Sequence, residues 1–306
     1  MPRRAEGRAL AVSTGKITVY AALAANAAIA ITKFVAAEIG GSSALFSEGL
    51  HSVVDTGDSL LLLLGLYLSK RPATPRHPYG HGAEVYFWST VVAMSIFGMG
   101  GGVSIYEGIL HLQHPQAPVD VWLGLGVLLA AFAFEGVSWL FAVRGFGKVR
   151  GRRSVWEAIK RSKDPTTFMI LLEDSAALLG VVAAAAGLAL AHWLDAPVFD
   201  ALGSIAIGVL LVVVGVVLGR ETWSLLLGES ASGEIVDSIR ALATAQPGVR
   251  DVRAARTMHI GPDVVHVDLD LVVEPAASAV DVSRQIEAAI RDRHPQIRRV
   301  SVRFPA

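Results

Sequence analysis

The sequence predicts a polytopic α-helical membrane protein with six transmembrane helices, followed by a C-terminal cytoplasmic α+β domain of order αββαβ, ferredoxin-like in its layering. Three observations carry this expectation. Of the 306 residues, 53% are hydrophobic and only 18% are charged, and the mean hydropathy of +0.50 is too high for an ordinary soluble domain. Six segments reach the length of about 20 apolar residues that a helix needs to cross hydrocarbon. From about Ser230 onward the long apolar runs stop and charges return, with 10 Arg and no Lys before the end of the chain.

The six segments lie at roughly 17–39, 44–69, 84–111, 119–143, 167–192 and 198–219. The third has no charged residue between Glu84 and Glu107, and the sixth has none between Asp200 and Arg220. The basic opening, MPRRAEGRAL, leads into an apolar stretch that runs up to Lys33 and lacks a small-residue cleavage pattern, so it reads as a retained first membrane helix. Lys and Arg in the connections set the orientation. Arg3, Arg4, Arg8 and Lys16, then Lys70, Arg71 and Arg76, then the basic stretch from Arg144 to Lys163 fall on one side. The opposite connections, at 41–43, 111–119 and 190–200, contain no Lys or Arg. Both termini are therefore expected in the cytoplasm, with the plasma (inner) membrane as the location. The basic connection 144–166 carries Val155, Trp156 and Ile159 at helical spacing, which fits either a short helix on the membrane surface or a solvated loop. The expected domains are a cytoplasmic segment 1–16, a six-helix transmembrane domain 17–222 and a cytoplasmic α+β domain 223–306.

In the last domain, EIVDSIRALATA reads as an amphipathic helix stopped by Pro247-Gly248. VRDVRAARTMHIG and VVHVDLDLVVE read as two strands joined near Gly261-Pro262. In the second, Val265, Val267, Leu269, Leu271 and Val273 alternate with His266, Asp268, Asp270 and Val272, the period of a half-buried strand. SAVDVSRQIEAAIRD then reads as a helix and RRVSVRF as the last strand.

Composition excludes several functions. Formal net charge is zero, so nothing suggests an electrostatic grip on nucleic acid. The absence of cysteine removes disulfides, thiolate nucleophiles and every Cys-based metal site, leaving His, Asp, Glu and backbone oxygen for any metal chemistry.

A charged group in hydrocarbon is expensive, so each one inside a span is a candidate functional residue. The second span places Glu48, His51, Asp55 and Asp58 along one helical face. His51 and Asp55, one turn apart, offer an imidazole nitrogen and a carboxylate to one small volume, which suits a borderline ion such as Zn²⁺. A buried His–Asp hydrogen bond that only joins helices is the alternative. The fifth span adds Glu173 and Asp174, which point about 100° apart, so that only one faces the same ion squarely. Asn26, Lys33, Glu38, Glu107, Glu135 and Asp200 stand as isolated groups, with Lys33, Glu38, Glu107 and Asp200 expected to snorkel or pair near the interfaces. In the connection RHPYGHGAE, His77 and His81 are weaker candidates for loose cation binding, because Pro78, Tyr79 and Gly80 also read as a turn.

Taken in order, Asn26 and Lys33 as N-x6-K, GSSALFSEGLHSVVD, HPYGHG, YEG, Asp174, DALGSIAIG and the αββαβ tail resemble the cation diffusion facilitator family of divalent-metal/proton antiporters over nearly the whole chain. The resemblance implies a homodimer with paired cytoplasmic domains and an ion site of two side chains from span two and two from span five. Carried over by position, these are His51 and Asp55 with Asp174. Ile170 stands where the family has the remaining His or Asp, so Glu173, Glu48 or a water is expected to complete the shell. The resemblance also implies that Asp268 and Arg303 replace metal-binding residues of the tail, and a domain that dimerises without a metal cluster.

The expected activity is export of a divalent cation, Zn²⁺ foremost, from the cytoplasm in exchange for protons, without a prosthetic group and without enzymatic chemistry. The alternatives are the same fold carrying Mn²⁺, Fe²⁺ or Co²⁺, a transport-inactive adaptor, and an intramembrane hydrolase using Asp55 and Asp174 as an acid dyad. Lipid, the metal ion, protons and a second copy of the chain are the expected partners.

Overall fold

Long apolar runs without internal proline leave helix as the only way to satisfy backbone groups in hydrocarbon. A computed structural model of the chain describes residues 26–115, 120–151, 154–262 and 264–304. The expected segment 1–16, the first part of the first span and Arg152 and Arg153 lie outside the described residues. Helix α1 covers residues 26–40. It is followed by α2 (Ser43–Ser69), α3 (Glu84–Gln113), α4 (Val121–Arg150), the short α5 (Val155–Arg161), α6 (Pro165–Trp193) and α7 (Val198–Leu226). Among the described residues, five helices are long and apolar enough to cross a membrane. They coincide with the second to sixth predicted spans.

Local chemistry explains the ends. Asp120 caps α4 by accepting from the Leu123 amide at 3.1 Å, and Ser154 caps α5 by accepting from the Glu157 amide at 3.2 Å. Between Ile96 and Gly102 the hydrogen bonding of α3 loosens to a π-helical stretch, over the glycine-rich IFGMGGG. Helix α4 runs on to Arg150, so the connection expected from 144 onward is shorter than the charge pattern suggested. The rest of it forms α5, whose Ala158 and Ile159 are buried while Val155 and Trp156 remain exposed.

The chain packs as two compact units. Of the described residues, one comprises those up to Leu61, Val91–Gly151 and Thr167–Gly219; the other comprises those within Leu62–Thr90, 152–166 and 220–306. In the first, small residues bring helices into backbone contact. A methyl added at Gly101 would lie 2.9 Å from the Gly208 carbonyl oxygen, and one at Gly108 would lie 2.9 Å from that of Ala201. That close approach is how helices associate where lipid removes the hydrophobic drive. Outward-facing Leu129, Phe141 and Val213 are exposed, as lipid contact requires, and Trp122 and Trp193 stand exposed at helix ends where the aromatic belt of a bilayer falls.

The second unit contains α8 (Gly233–Thr244), β1 (Val249–Gly261), β2 (Val264–Val273), α9 (Ala279–Arg293) and β3 (Ile297–Arg303). The sheet order is β1-β2-β3, with β1 and β2 antiparallel and β2 and β3 parallel. The predicted αββαβ order is the one observed. Val265, Val267, Leu269 and Leu271 of β2 are buried against Ile239 of α8 and Ile286 and Ile290 of α9. Each such side chain contributes about 1.5–3 kcal/mol relative to exposure. Ser278 caps α9 by accepting from the Asp281 amide, and Arg291 and Arg293 occupy its last turn, where they suit the helix dipole. On the opposite face of the sheet, the Arg303 side chain contacts Asp268, its Nε lies 3.1 Å from Asp270, and Arg256 donates to Asp270 at 3.0 Å.

Candidate functional site

Helix α2 presents its polar stripe inward. Glu48, His51 and Asp58 are fully or almost fully buried, and Asp55 is half-buried. Nδ1 of His51 stands 3.3 Å from Oδ1 of Asp55, one turn along the helix. That approach is off the hydrogen-bonding direction, and neither ring nitrogen of His51 has a hydrogen-bond partner among the described residues. The start of α2 is fixed from α7. Asp200, buried beneath it, accepts from the Ser42 hydroxyl at 2.6 Å, from the Ser43 amide at 2.6 Å and from the Ser43 hydroxyl at 3.0 Å.

Helices α1, α2, α4 and α6 border a cavity of about 160 Å³, lined among others by Asn26, Ser52, Asp55, Glu135, Ile170, Glu173 and Asp174. Asp55 of α2 and Glu173 of α6 line this cavity together. Carboxylates gathered around one space repel each other, and a proton or a cation relieves that repulsion. Glu173 is 6% exposed and its Oε1 has no partner among the described residues. Asp174 turns the other way and accepts from the Ser138 hydroxyl of α4 at 3.1 Å. Trp139 donates to Ser175 at 3.0 Å and so holds α4 to α6 on the same side. The sequence expectation that only one of Glu173 and Asp174 faces the site therefore meets a cavity wide enough for both to line it from adjacent walls.

Glu48 stands apart from the cavity lining. Its Oε2 accepts from Nζ of Lys33 at 2.9 Å, and its carboxylate packs against Gly180, where an added methyl would collide with Oε1. Nζ of Lys33 also donates to Ser52 at 2.9 Å and to Oε1 of Glu135 at 2.8 Å. Lys33 and Asp200 thus pair in the interior rather than snorkel, while Glu38 is exposed and Glu107 pairs with His111 at 3.3 Å. Reading the residues one by one missed the Lys33–Glu48–Glu135 network. Its signal was present: Lys33 is the only Lys or Arg inside the six predicted spans, and a lone cation in hydrocarbon requires carboxylate partners.

His77 and His81 lie in the second unit, with ring centroids 4.4 Å apart and His81 Nδ1 3.7 Å from Glu84. The segment closes as a turn: the Gly80 amide donates to the His77 carbonyl at 3.0 Å, and Gly80 takes a φ of 88°. Arg299 of β3 donates to the Pro78 carbonyl at 2.8 Å and stacks over Tyr79. Among the described residues, no three His, Asp or Glu side chains already stand as a metal-binding group.

The cation efflux transmembrane domain matches residues 19–227, and the cytoplasmic domain of cation efflux proteins matches residues 231–304. The mouse and human proteins named proton-coupled zinc antiporter SLC30A9, mitochondrial, are each 35% identical over 250 residues, which is 81% of this chain and 44% of theirs. The Arabidopsis thaliana metal tolerance protein C4 is 30% identical over 80% of this chain and 54% of its own length. The Klebsiella pneumoniae cation-efflux pump FieF is 29% identical over 92% of this chain and 91% of its own. The aligned part thus spans less than half of the mitochondrial relatives and nearly all of the bacterial one. With both domain types matched in order, the chain belongs to the cation diffusion facilitator family.

Proposed function

We propose that the protein is a secondary transporter that exports a divalent cation, Zn²⁺ foremost, from the cytoplasm in exchange for protons, as a homodimer paired through its C-terminal domain. The observation that carries the reading is the gathering of Asp55, Glu135, Glu173 and Asp174 around one cavity between the helices. Carboxyl groups gathered in this way hold either protons or a cation, so loading one releases the other. His51, with neither ring nitrogen hydrogen-bonded among the described residues, supplies a borderline nitrogen ligand one turn from Asp55. Asp174 reaches the same space from α6. Metal binding requires neutral imidazole and ionised carboxylates, so ion and proton compete for one set of atoms. Alternating exposure of the cavity to the two sides then couples the two fluxes.

The names of the relatives support zinc and proton coupling, and the cation-efflux pump supports divalent cations more broadly. In the C-terminal domain, Arg303 and Arg256 already neutralise Asp268 and Asp270, which supports a dimer that needs no metal there. The test is uptake into proteoliposomes with an imposed pH gradient, using Zn²⁺, Mn²⁺, Fe²⁺ and Co²⁺ in turn. Zinc flux that needs the gradient and disappears in Asp55→Ala and Asp174→Ala supports the reading; a higher flux of another ion names that ion as the cargo. Absence of flux for every ion in folded dimeric protein refutes transport and leaves the adaptor reading.

A further inference from the structure

Lys33 has three N–H donors and the structure uses all of them, on Glu48, Ser52 and Glu135 at 2.9, 2.9 and 2.8 Å. Two of the three acceptors are carboxylates, so one positive charge serves two negative ones. Glu48 spends its share away from the cavity, between Lys33 and Gly180. Glu135 differs, because its side chain lines the cavity beside Asp55, Glu173 and Asp174. One of its oxygens is held by Lys33; the other, Oε2, is buried and has no partner among the described residues. A buried carboxylate oxygen without a partner is costly, and here it stands at the wall of the space that Glu173 also faces with an unpartnered oxygen.

We propose that Glu135 is a cation-binding residue of the transport cavity, held in the empty state by the ammonium of Lys33 and taken over by the incoming divalent ion. The inference rests on the transport reading above and deepens it. Ile170 offers no ligand from α6, and Glu135 supplies an oxygen from α4 to the same cavity. Lys33 acts as a resident cation: it keeps Glu135 neutralised until a doubly charged ion competes for it, and it remains paired with Glu48 and Ser52 when Glu135 leaves. The cavity of about 160 Å³ has room for an ion with several waters at about 30 Å³ each, so the ligands need not collapse onto a bare ion at once.

The experiment measures Zn²⁺ affinity of the full chain in detergent by competition with a zinc-chelating fluorophore. The variants are Glu135→Gln, Glu135→Asp, Lys33→Met and Asp55→Ala, and X-ray absorption of the zinc-loaded protein counts light-atom neighbours. Glu135→Gln keeps an oxygen that accepts from Lys33, so the fold is retained while the second carboxylate oxygen is lost. The expected results are a Zn²⁺ affinity weakened about tenfold or more, partial recovery in Glu135→Asp, and one oxygen fewer around zinc. Lys33→Met is expected to tighten zinc binding when Glu135 is present and to have no such effect in the Glu135→Gln background. If Glu135→Gln binds zinc like the native chain while Asp55→Ala does not, Glu135 is only a partner of Lys33: the inference falls and the transport reading stands. If Asp55→Ala also binds like the native chain, the cavity is not the ion site and both fall.

Discussion

Replacing Asp200 by alanine tests whether the buried end of α2 is held from α7. The native carboxylate takes three short hydrogen bonds, from the Ser42 hydroxyl, the Ser43 amide and the Ser43 hydroxyl, and Ser42 in turn accepts from the Leu45 amide at 3.1 Å. Hydrogen bonds to a charged group contribute about 1.5–3 kcal/mol each, but they are not additive. The two hydroxyls can rotate to backbone carbonyls of their own helix, so the groups left stranded are the Ser43 amide, at about 1–3 kcal/mol, and the Ala44 amide, whose longer bond to the carboxylate at 3.4 Å adds less. Losing a negative charge at a helix N-terminus adds up to about 2 kcal/mol, and relief of the desolvated carboxylate offsets part of the total. The net expectation is a destabilisation of about 3 kcal/mol for Asp200→Ala and about half of that for Asp200→Asn, which keeps an acceptor. Denaturant unfolding of the full chain in micelles, followed by helical circular dichroism, measures both. Losses below about 1 kcal/mol for both variants would refute the reasoning and show that water replaces the carboxylate at the helix start.

Three further outcomes are expected. His51→Asp exchanges a borderline nitrogen for a hard oxygen and should move the transport ratio of Zn²⁺ to Mn²⁺ toward Mn²⁺; an unchanged ratio in the proteoliposome assay denies His51 a part in selectivity. Gly82→Ala puts a methyl 2.7 Å from the Ile260 carbonyl oxygen and should destabilise the second unit by about 1–3 kcal/mol, read as faster proteolysis there; native resistance would show that the backbone yields freely. Burial, the largest cause, holds the His259 imidazole below its ordinary range, with the Gly261 carbonyl and Glu229 opposing and Lys163 assisting. The unfolded chain therefore binds the extra proton first, so stability contributed by neutral His259 is complete above the ordinary histidine value of about 6.5 and falls as pH drops through it. Thermal melts of the second unit between neutral pH and the acid side should show this loss, and His259→Gln should flatten it.

The spans and the αββαβ order were legible because each rests on a one-dimensional pattern. Apolar runs without internal proline give the helices, and the alternation of Val265, Val267, Leu269 and Leu271 gives the central strand. The polar stripe of α2 was legible for the same reason, since its spacing repeats along one face. What a pattern along one helix does not carry is who stands opposite. Lys33 and Glu135 are 102 positions apart, and Asp200 finds its acceptor role against serines more than 150 positions earlier. Their pairing follows from helix packing, which glycines such as Gly180, Gly101 and Gly108 set by distance of approach rather than by any periodic signal. Glu173 and Asp174 show the same limit: helical geometry fixes the angle between them, while the width of the cavity decides that both line it.

The two units are held together by different forces, and this divides their response to temperature. The core of the second unit, around Leu269, Ile286 and Ile290, is assembled by expelling water, so its unfolding carries a large positive heat capacity and its stability curve bends down in the cold. The first unit meets lipid on its outer face, and its helix contacts, such as Gly101 on Gly208, arise from close packing that expels no water. Little heat capacity attaches to separating them. Cooling therefore loosens the sheet domain while leaving the helix packing nearly unaffected, and a calorimetric scan of the whole chain should contain one strongly curved transition and one that is almost straight.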